Sequence, residues 1–357
     1  MKPRILVDCE RLKYPKSGLA TVCRSLVHGL SKNSSLDFTF YGPRDALAVP
    51  TDQILDWKPW HKLFPPSTKK YELVHVTHQL SDYFHQVSSN QKKAVTLHDL
   101  NFLHENLSDE KILRRLALVQ KNLGNADAII CISEFAKTDF VKNMDRFKLK
   151  KDVEITVVHN GLMFPDKSAS VSQRFNYLRN KPYILNIGVL FPKKNQKVLL
   201  EFLAKTDLHL VLVSSDAKGD YEREFSTKVS ALELQDRVHI LKDVNETEKN
   251  FLLQNCESYV HPSLAEGFGI PPIEAMYFGK PVFLSTQTSL PEIGGDAAFY
   301  FQNFEPDSML QAYRSGMDRF NKQKAANEHM FHEHAMRFGA DKMAEQYAEI
   351  YLKLLAK

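Results

Sequence analysis

Short apolar runs rich in β-branched residues alternate with longer stretches of helical period along the chain. In the first half they are Ile5 to Val7, Leu73 to Val76, Ala94 to Leu97, Ala128 to Cys131 and Ile155 to Val158. In the second half they are Tyr183 to Ile187, Leu208 to Val213, Val238 to Leu241, Ser258 to Val260 and Pro281 to Leu284. Runs this short, with helical segments between them, suit strands buried on both faces of parallel sheets. The pattern therefore predicts an α/β chain in which the same arrangement occurs twice. A polar stretch of weak periodicity separates the halves, so the expected organisation is 1–163, a linker at 164–181, and 182–338. The last segment, 339–357, reads as a helix with Met343, Ala344, Tyr347, Ile350, Tyr351 and Leu354 on one side.

Length supports the division, because 357 residues exceed what one hydrophobic core comfortably serves. A hydrophobic content of 43% and a charged content of 25% are those of a globular chain, and no apolar run reaches the length of a membrane span. The opening residues enter a strand at once instead of forming a signal peptide, which points to the cytoplasm. Cys9, Cys23, Cys131 and Cys256 lie in apolar surroundings without Cys-x-x-Cys spacing, so they read as reduced buried thiols. The net charge of +4 is uneven, with +8 over residues 1–180 and −4 over the remainder. A basic first half suits an anionic acceptor or an anionic membrane surface, with the cluster Lys142, Arg146, Lys148, Lys150 and Lys151 as its densest part. No nucleic-acid partner is expected.

The chemistry concentrates between Ser263 and Val282. Glu266 and Glu274 stand eight positions apart across Gly267-Phe268-Gly269-Ile270 and the pair Pro271-Pro272. The prolines suit the first turn of a helix and Gly279 with Pro281 suits its end, so the helix is about two turns long. Amides at Phe268, Gly269 and Ile270, together with the helix dipole, favour an anion such as a diphosphate. The carboxylates accept hydrogen bonds from hydroxyls, which fits a sugar and a ribose on either side of the phosphates.

This segment resembles the E-x7-E motif of retaining glycosyltransferases of family 4, whose fold is GT-B, and looks closest to their bacterial mannosyltransferase-like branch. The resemblance implies two Rossmann-like domains with parallel sheets facing a central cleft, and a C-terminal helix crossing back to the N-terminal domain. It implies that Glu266 contacts the transferred sugar and Glu274 the ribose. Lys193 and Lys194, after the run Tyr183 to Ile187, occupy the family's paired basic positions at the diphosphate, where a fixed ammonium stabilises charge developing in the transition state. Lys193 stands where the family usually has Arg, so bidentate binding is lost there. His98, in a His-Asp string after Ala94 to Leu97, is implied as a sugar contact, and Asp99 as its neighbour. Gly18 resembles the family's N-terminal glycine loop, although further glycines usual there are missing. Asp243 and Val244 fall where family members pinch the base, and Thr288 to Glu292 where a loop covers the nucleotide.

The implied activity is transfer of a hexose, mannose from GDP-mannose being the best guess, from a nucleoside diphosphate sugar to a glycan or lipid-linked acceptor hydroxyl in cell-surface polysaccharide or lipopolysaccharide synthesis. No cofactor and no metal are expected, since Asp-x-Asp is absent. Expected partners are the nucleotide sugar, the acceptor and peripheral contact with the anionic inner membrane at its cytoplasmic face. The alternatives are a GT-B nucleotide-sugar epimerase and a catalytically silent glycan-binding GT-B protein. A dinucleotide oxidoreductase is disfavoured because neither half opens with G-x-G-x-x-G. His329, His332 and His334 lack a metal-binding spacing and read as a solvated helix face. His75 reads as structural, and His78 as a residue facing the acceptor.

Overall fold

The computed structural model describes residues 2–15, 17–105, 107–168, 172–214 and 219–357. The chain forms two compact units, Met1–Met163 with Phe338–Lys357, and Phe164–Arg337. No helix among the described residues is long and apolar enough to cross a membrane.

The first unit is built on a seven-stranded parallel sheet in the order β3-β2-β1-β4-β5-β6-β7. Its strands are β1 (Arg4–Asp8), β2 (Asp37–Gly42), β3 (Ile54–Asp56), β4 (Leu73–Val76), β5 (Lys92–Leu97), β6 (Ala128–Cys131) and β7 (Glu154–Val157). Crossover helices α1 (Gly18–Ser31), α2 (Asp109–Leu123) and α3 (Glu134–Lys142) join them. Because helices cover the sheet, β4 and β6 are buried at every position. The pattern of apolar runs misses β2 and β3: Asp37-Phe-Thr-Phe-Tyr-Gly mixes polar and aromatic residues, and β3 is three residues long.

The second unit holds a six-stranded parallel sheet in the order β10-β9-β8-β11-β12-β13. Its elements alternate as β8 (Tyr183–Ile187), α4 (Val198–Ala204), β9 (His209–Val213), α5 (Asp220–Ala231), β10 (Val238–Leu241), α6 (Glu246–Asn255), β11 (Ser258–His261), α7 (Ile270–Tyr277), β12 (Val282–Ser285), α8 (Leu290–Gly294) and β13 (Phe299–Phe301). Two helices follow, α9 (Pro306–Lys322) and α10 (Lys324–Met336). The stretch expected as a linker packs on this unit: the Phe164 ring stacks on Tyr277 at 4.5 Å, the Tyr277 hydroxyl donates to the Pro165 carbonyl, and Phe175 and Leu178 are buried.

The last helix, α11 (Ala340–Leu355), belongs to the first unit, where Met343, Ala344, Tyr347, Tyr351 and Leu354 are buried. Gly29 of α1 permits this contact, since a Cβ there would lie 2.5 Å from the Ala344 Cβ. Tyr351 bonds His75 Nδ1 at 2.7 Å, and Tyr347 bonds Thr96 Oγ1 at 2.8 Å. His75 is thus structural, and burial, with a smaller contribution from His98, pushes its pKa down to about 3.

Candidate functional site

In an open parallel sheet, ligands sit beyond the carboxyl ends of the strands where successive connections diverge. In the second unit this point lies between β8 and β11: the chain runs outward from β8 through β9 to β10, then returns to β11 on the other side. Lys194 follows β8 and Glu266 follows β11, and the two side chains meet there, Nζ to Oε1 at 2.5 Å. His261, the last residue of β11, donates from Nε2 to the same oxygen at 2.7 Å. Its Nδ1 faces the Tyr259 hydroxyl at 3.1 Å. Burial alone would raise the Glu266 pKa, but the Lys194 charge and the His261 hydrogen bond outweigh it and hold the carboxyl well below its ordinary 4.5. Both donors engage Oε1, so Oε2 can accept from a hydroxyl.

The turn carrying Glu266 is braced from the loop after β12. The Glu266 amide donates to Thr288 Oγ1 at 3.0 Å, and Ser289 Oγ donates to the Glu266 and Phe268 carbonyls at 3.1 and 2.7 Å. Gly267 lies in this turn, and the Phe268 side chain is buried beneath it. Gly269 has φ 116°, and a Cβ there would approach the Leu290 Cδ2 to 3.0 Å, so geometry and space both require glycine. Helix α7 then begins at Ile270 with Pro271 and Pro272 in its first turn, as its sequence predicts. The prolines have no N–H, which concentrates the anion-binding capacity of this helix end on Gly269 and Ile270.

Glu274 on α7 pairs with Lys249 of α6 at 2.7 Å, and Lys249 also reaches Glu246 at 2.8 Å. Burial would lower the lysine pKa, but these two carboxylates raise it above its ordinary value, so Lys249 remains an ammonium. Asp243 and Val244 precede α6, with Asp243 at φ 54°. Arg174 donates to the carbonyls of Lys242 and Asp243 at 2.8 and 3.3 Å, and Asn245 caps α6 in a reciprocal box with Glu248. Lys193 lends its carbonyl to Ser263 Oγ and the Leu264 amide, tying the loops after β8 and β11 together.

In the first unit the corresponding point lies between β1 and β4. His98, at the end of β5, donates from Nε2 to the Thr77 carbonyl at 2.9 Å when that nitrogen carries the proton, leaving Nδ1 as an acceptor. Its ring stacks on His78 at 5.1 Å, and burial pushes its pKa down to about 4 despite the Thr77 hydrogen bond. It lines a small hollow with Arg11, Leu19, Thr77 and Asn160. His78 itself is buried, and its Nδ1 accepts from the Leu80 amide at 3.0 Å. Gly18 differs from the expected loop position: it is the first residue of α1, because the Ser17 side chain caps the helix there by accepting from Ala20. The histidines of α10 also differ. His332 bonds the Tyr277 carbonyl and His334 the Ile293 carbonyl, so they dock α10 on α7 and α8, while His329 is exposed.

The structure therefore brings together Lys194, Glu266 and the Gly267 to Ile270 turn, and places Glu274 eight residues along. His261 and Lys249 were missed by sequence reasoning. A histidine ending an apolar run five residues before Glu266 was a usable signal for the first, whereas 25 positions separate Lys249 from Glu274 with no local pattern.

Residues 171–329 match the family model described as glycosyl transferases group 1. The chain is 26% identical over 246 residues, 66% of each chain, to the O-antigen chain mannosyltransferase RfbU of Salmonella typhimurium. It is 24% identical over 326 residues to O-antigen chain mannosyltransferase B of Escherichia coli, covering 82% of this chain and 85% of the relative. Among solved structures it resembles the sucrose-phosphate synthase of Thermosynechococcus elongatus (TM-score 0.72, 19% identity, 99% of this chain and 100% of the other). It also resembles Anabaena HepE in complex with UDP and glucose (TM-score 0.71, 18% identity, 98% and 100%). These likenesses extend over both units and show the GT-B fold. With that fold throughout, the segment 171–329, most of the second unit, is the part of the chain that matches the glycosyl transferases group 1 family model.

Proposed function

We propose that this protein transfers a hexose, with retention of anomeric configuration and without a divalent metal, from a nucleoside diphosphate sugar to a hydroxyl of a glycan or lipid-linked acceptor. The observation that carries the reading is the Glu266 carboxylate, pinned by Lys194 and His261 where β8 and β11 diverge, with Glu274 held by Lys249 on the following helix. In this reading Glu266 Oε2 accepts from a hydroxyl of the sugar and Glu274 from the ribose. Lys194, Lys193 and the amides of Gly269 and Ile270 face the diphosphate, and Asp243 and Val244 lie toward the base. His98 contacts the transferred sugar near its anomeric carbon, Gly18 lies toward the donor phosphates, and the rest of the first unit's share is mainly the acceptor.

As the bond from the anomeric carbon to the phosphate oxygen breaks, negative charge grows on that phosphate, where a fixed ammonium stabilises the transition state more than the ground state. The acceptor oxygen forms its bond on the same face, and its proton passes to the departing phosphate oxygen. The products are a glycoside and a nucleoside diphosphate. The relatives named as O-antigen chain mannosyltransferases support mannose as the sugar and O-antigen-type polysaccharide as the destination; GDP-mannose as its donor and the cytoplasm as its location complete the reading. A donor-hydrolysis screen across nucleotide sugars, followed by mass spectrometry and anomeric-proton NMR of products, tests the reading. An inverted product, tighter calorimetric binding of UDP than GDP, or loss of turnover with a chelator would each overturn its corresponding part.

A further inference from the structure

The stretch 164–181, polar enough to be expected as a linker, is anchored from Ser172 onward: Ser172, Phe175 and Leu178 are buried, and a 3-10 turn at Asn176–Leu178 follows. Arg174 stands on this anchor, its guanidinium over the Phe175 ring at 4.9 Å. From there it reaches the loop between β10 and α6. One nitrogen donates to the Lys242 carbonyl at 2.8 Å, and the other to the Asp243 carbonyl at 3.3 Å and to Glu248 Oε2 at 3.4 Å. That same Glu248 oxygen accepts the Asn245 amide at 3.0 Å, so one side chain ties the loop backbone to the cap of α6.

This loop needs holding. The ladder of β10 ends with Leu241 against Val213, so Lys242 and Asp243 lie beyond its last pairing. Asp243, at φ 54°, is in the left-handed region, which a residue with a side chain keeps only when its surroundings impose it. The planar fork of an arginine can serve two successive carbonyls at once, which the single ammonium of a lysine does less well.

The loop also lies beside the candidate ribose contact. Glu274 is bonded to Lys249, which lies four residues past the cap Asn245, or about 6 Å along α6. A nucleoside whose ribose meets Glu274 carries its base one glycosidic bond further, within reach of residues 242–245. We propose that Arg174 is a positioning residue for the nucleotide base, holding this loop in the one shape that decides which base the donor carries. The proposal rests on the reading of Glu274 as the ribose contact and of Asp243 and Val244 as lying toward the base. Nucleotides that share ribose and diphosphate differ at a few base atoms, and a loop distinguishes them only as far as its own geometry is fixed.

Titration calorimetry with GDP, UDP and ADP, alongside steady-state donor hydrolysis, tests it. Arg174→Ala should weaken the best-bound nucleoside diphosphate by about tenfold and the other two less, so that the preference among bases narrows. In hydrolysis KM should rise while kcat stays near wild type, because Lys194 and Glu266 are untouched. Arg174→Lys should restore part of the lost preference. The Arg174 side chain is 47% exposed and Glu248 keeps the Asn245 amide, so the variants should fold, with a Tm close to wild type. Equal weakening of all three nucleotides, an unchanged preference, or a wild type that binds the three alike would overturn the assignment. Val244→Glu, which places a charge on the loop, separates this role from the base contact on which it depends. If Val244→Glu leaves every affinity unchanged, the base lies elsewhere and both fall. If it weakens binding while Arg174→Ala does not, the base contact stands and Arg174 has no positioning role.

Discussion

Replacing Lys194 by Met removes the cation but keeps the stem, and leaves the Glu266 carboxylate with His261 as its remaining side-chain partner. The side chains of Lys194 and Glu266 are only 21% and 12% exposed, so the stranded charge is poorly solvated. Breaking such a pair costs about 3 kcal/mol, which in a unit of this size lowers Tm by roughly 6–12 °C. The pH dependence should change as well. The folded-state pKa of Glu266 lies below its ordinary 4.5, so the stabilisation it brings is present above 4.5 and is lost as pH falls from there toward the folded value. Without Lys194 that depression shrinks while burial still opposes it, and the acid limb attributable to this carboxylate should flatten. Adding Glu266→Gln to Lys194→Met should recover about 1–2 kcal/mol by removing the stranded charge, yet leave donor hydrolysis down by about 100-fold. Calorimetry across pH 3 to 8 and a hydrolysis assay check each step. An unchanged Tm, or an identical acid limb in wild type and Lys194→Met, would refute the reasoning.

Lys249→Met should weaken nucleoside diphosphate binding by about 1–2 kcal/mol in titration calorimetry, because Glu274 loses its charged positioning partner. Gly269→Ala should cost about 1–3 kcal/mol of stability, seen as a lower Tm, since φ 116° and the Leu290 contact both oppose a Cβ. His98→Gln should slow transfer to an acceptor about tenfold or more while affinity for the nucleoside diphosphate, read by calorimetry, stays unchanged. His75, His78 and His98 all have folded-state pKa values below the ordinary 6.5 because burial disfavours their charge. Their stabilisation is present above pH 6.5 and is lost as pH falls toward the folded values, so the first unit should become steadily less stable from pH 6.5 to 4, and His75→Gln should reduce the slope of Tm in that window.

How much of the fold was legible depended on burial. Leu73 to Val76, Ala128 to Cys131 and Tyr183 to Ile187 coincide with strands of the structure, because strands covered by helices on both faces carry continuous apolar runs. The strand Phe299–Phe301 escaped, being three residues after a glycine and polar stretch. In the site, Pro271, Pro272 and Gly269 announced the start of α7 because φ restriction is a local property. The partners of the two glutamates did not announce themselves. Lys249 on another helix is a long-range neighbour, and His332 and His334 read as solvent-facing until α10 was seen docked on the carbonyls of Tyr277 and Ile293.

By itself the sequence determined the parallel α/β class and the short proline-led helix of the E-x7-E segment, since these follow from residue type, period and backbone restriction over a few neighbouring positions. Only the tertiary structure decided that Lys194 and His261 share one oxygen of Glu266 and that Lys249 holds Glu274. Those outcomes depend on strand order and crossover, which bring together residues tens of positions apart, and on burial, which sets the charge each group can keep.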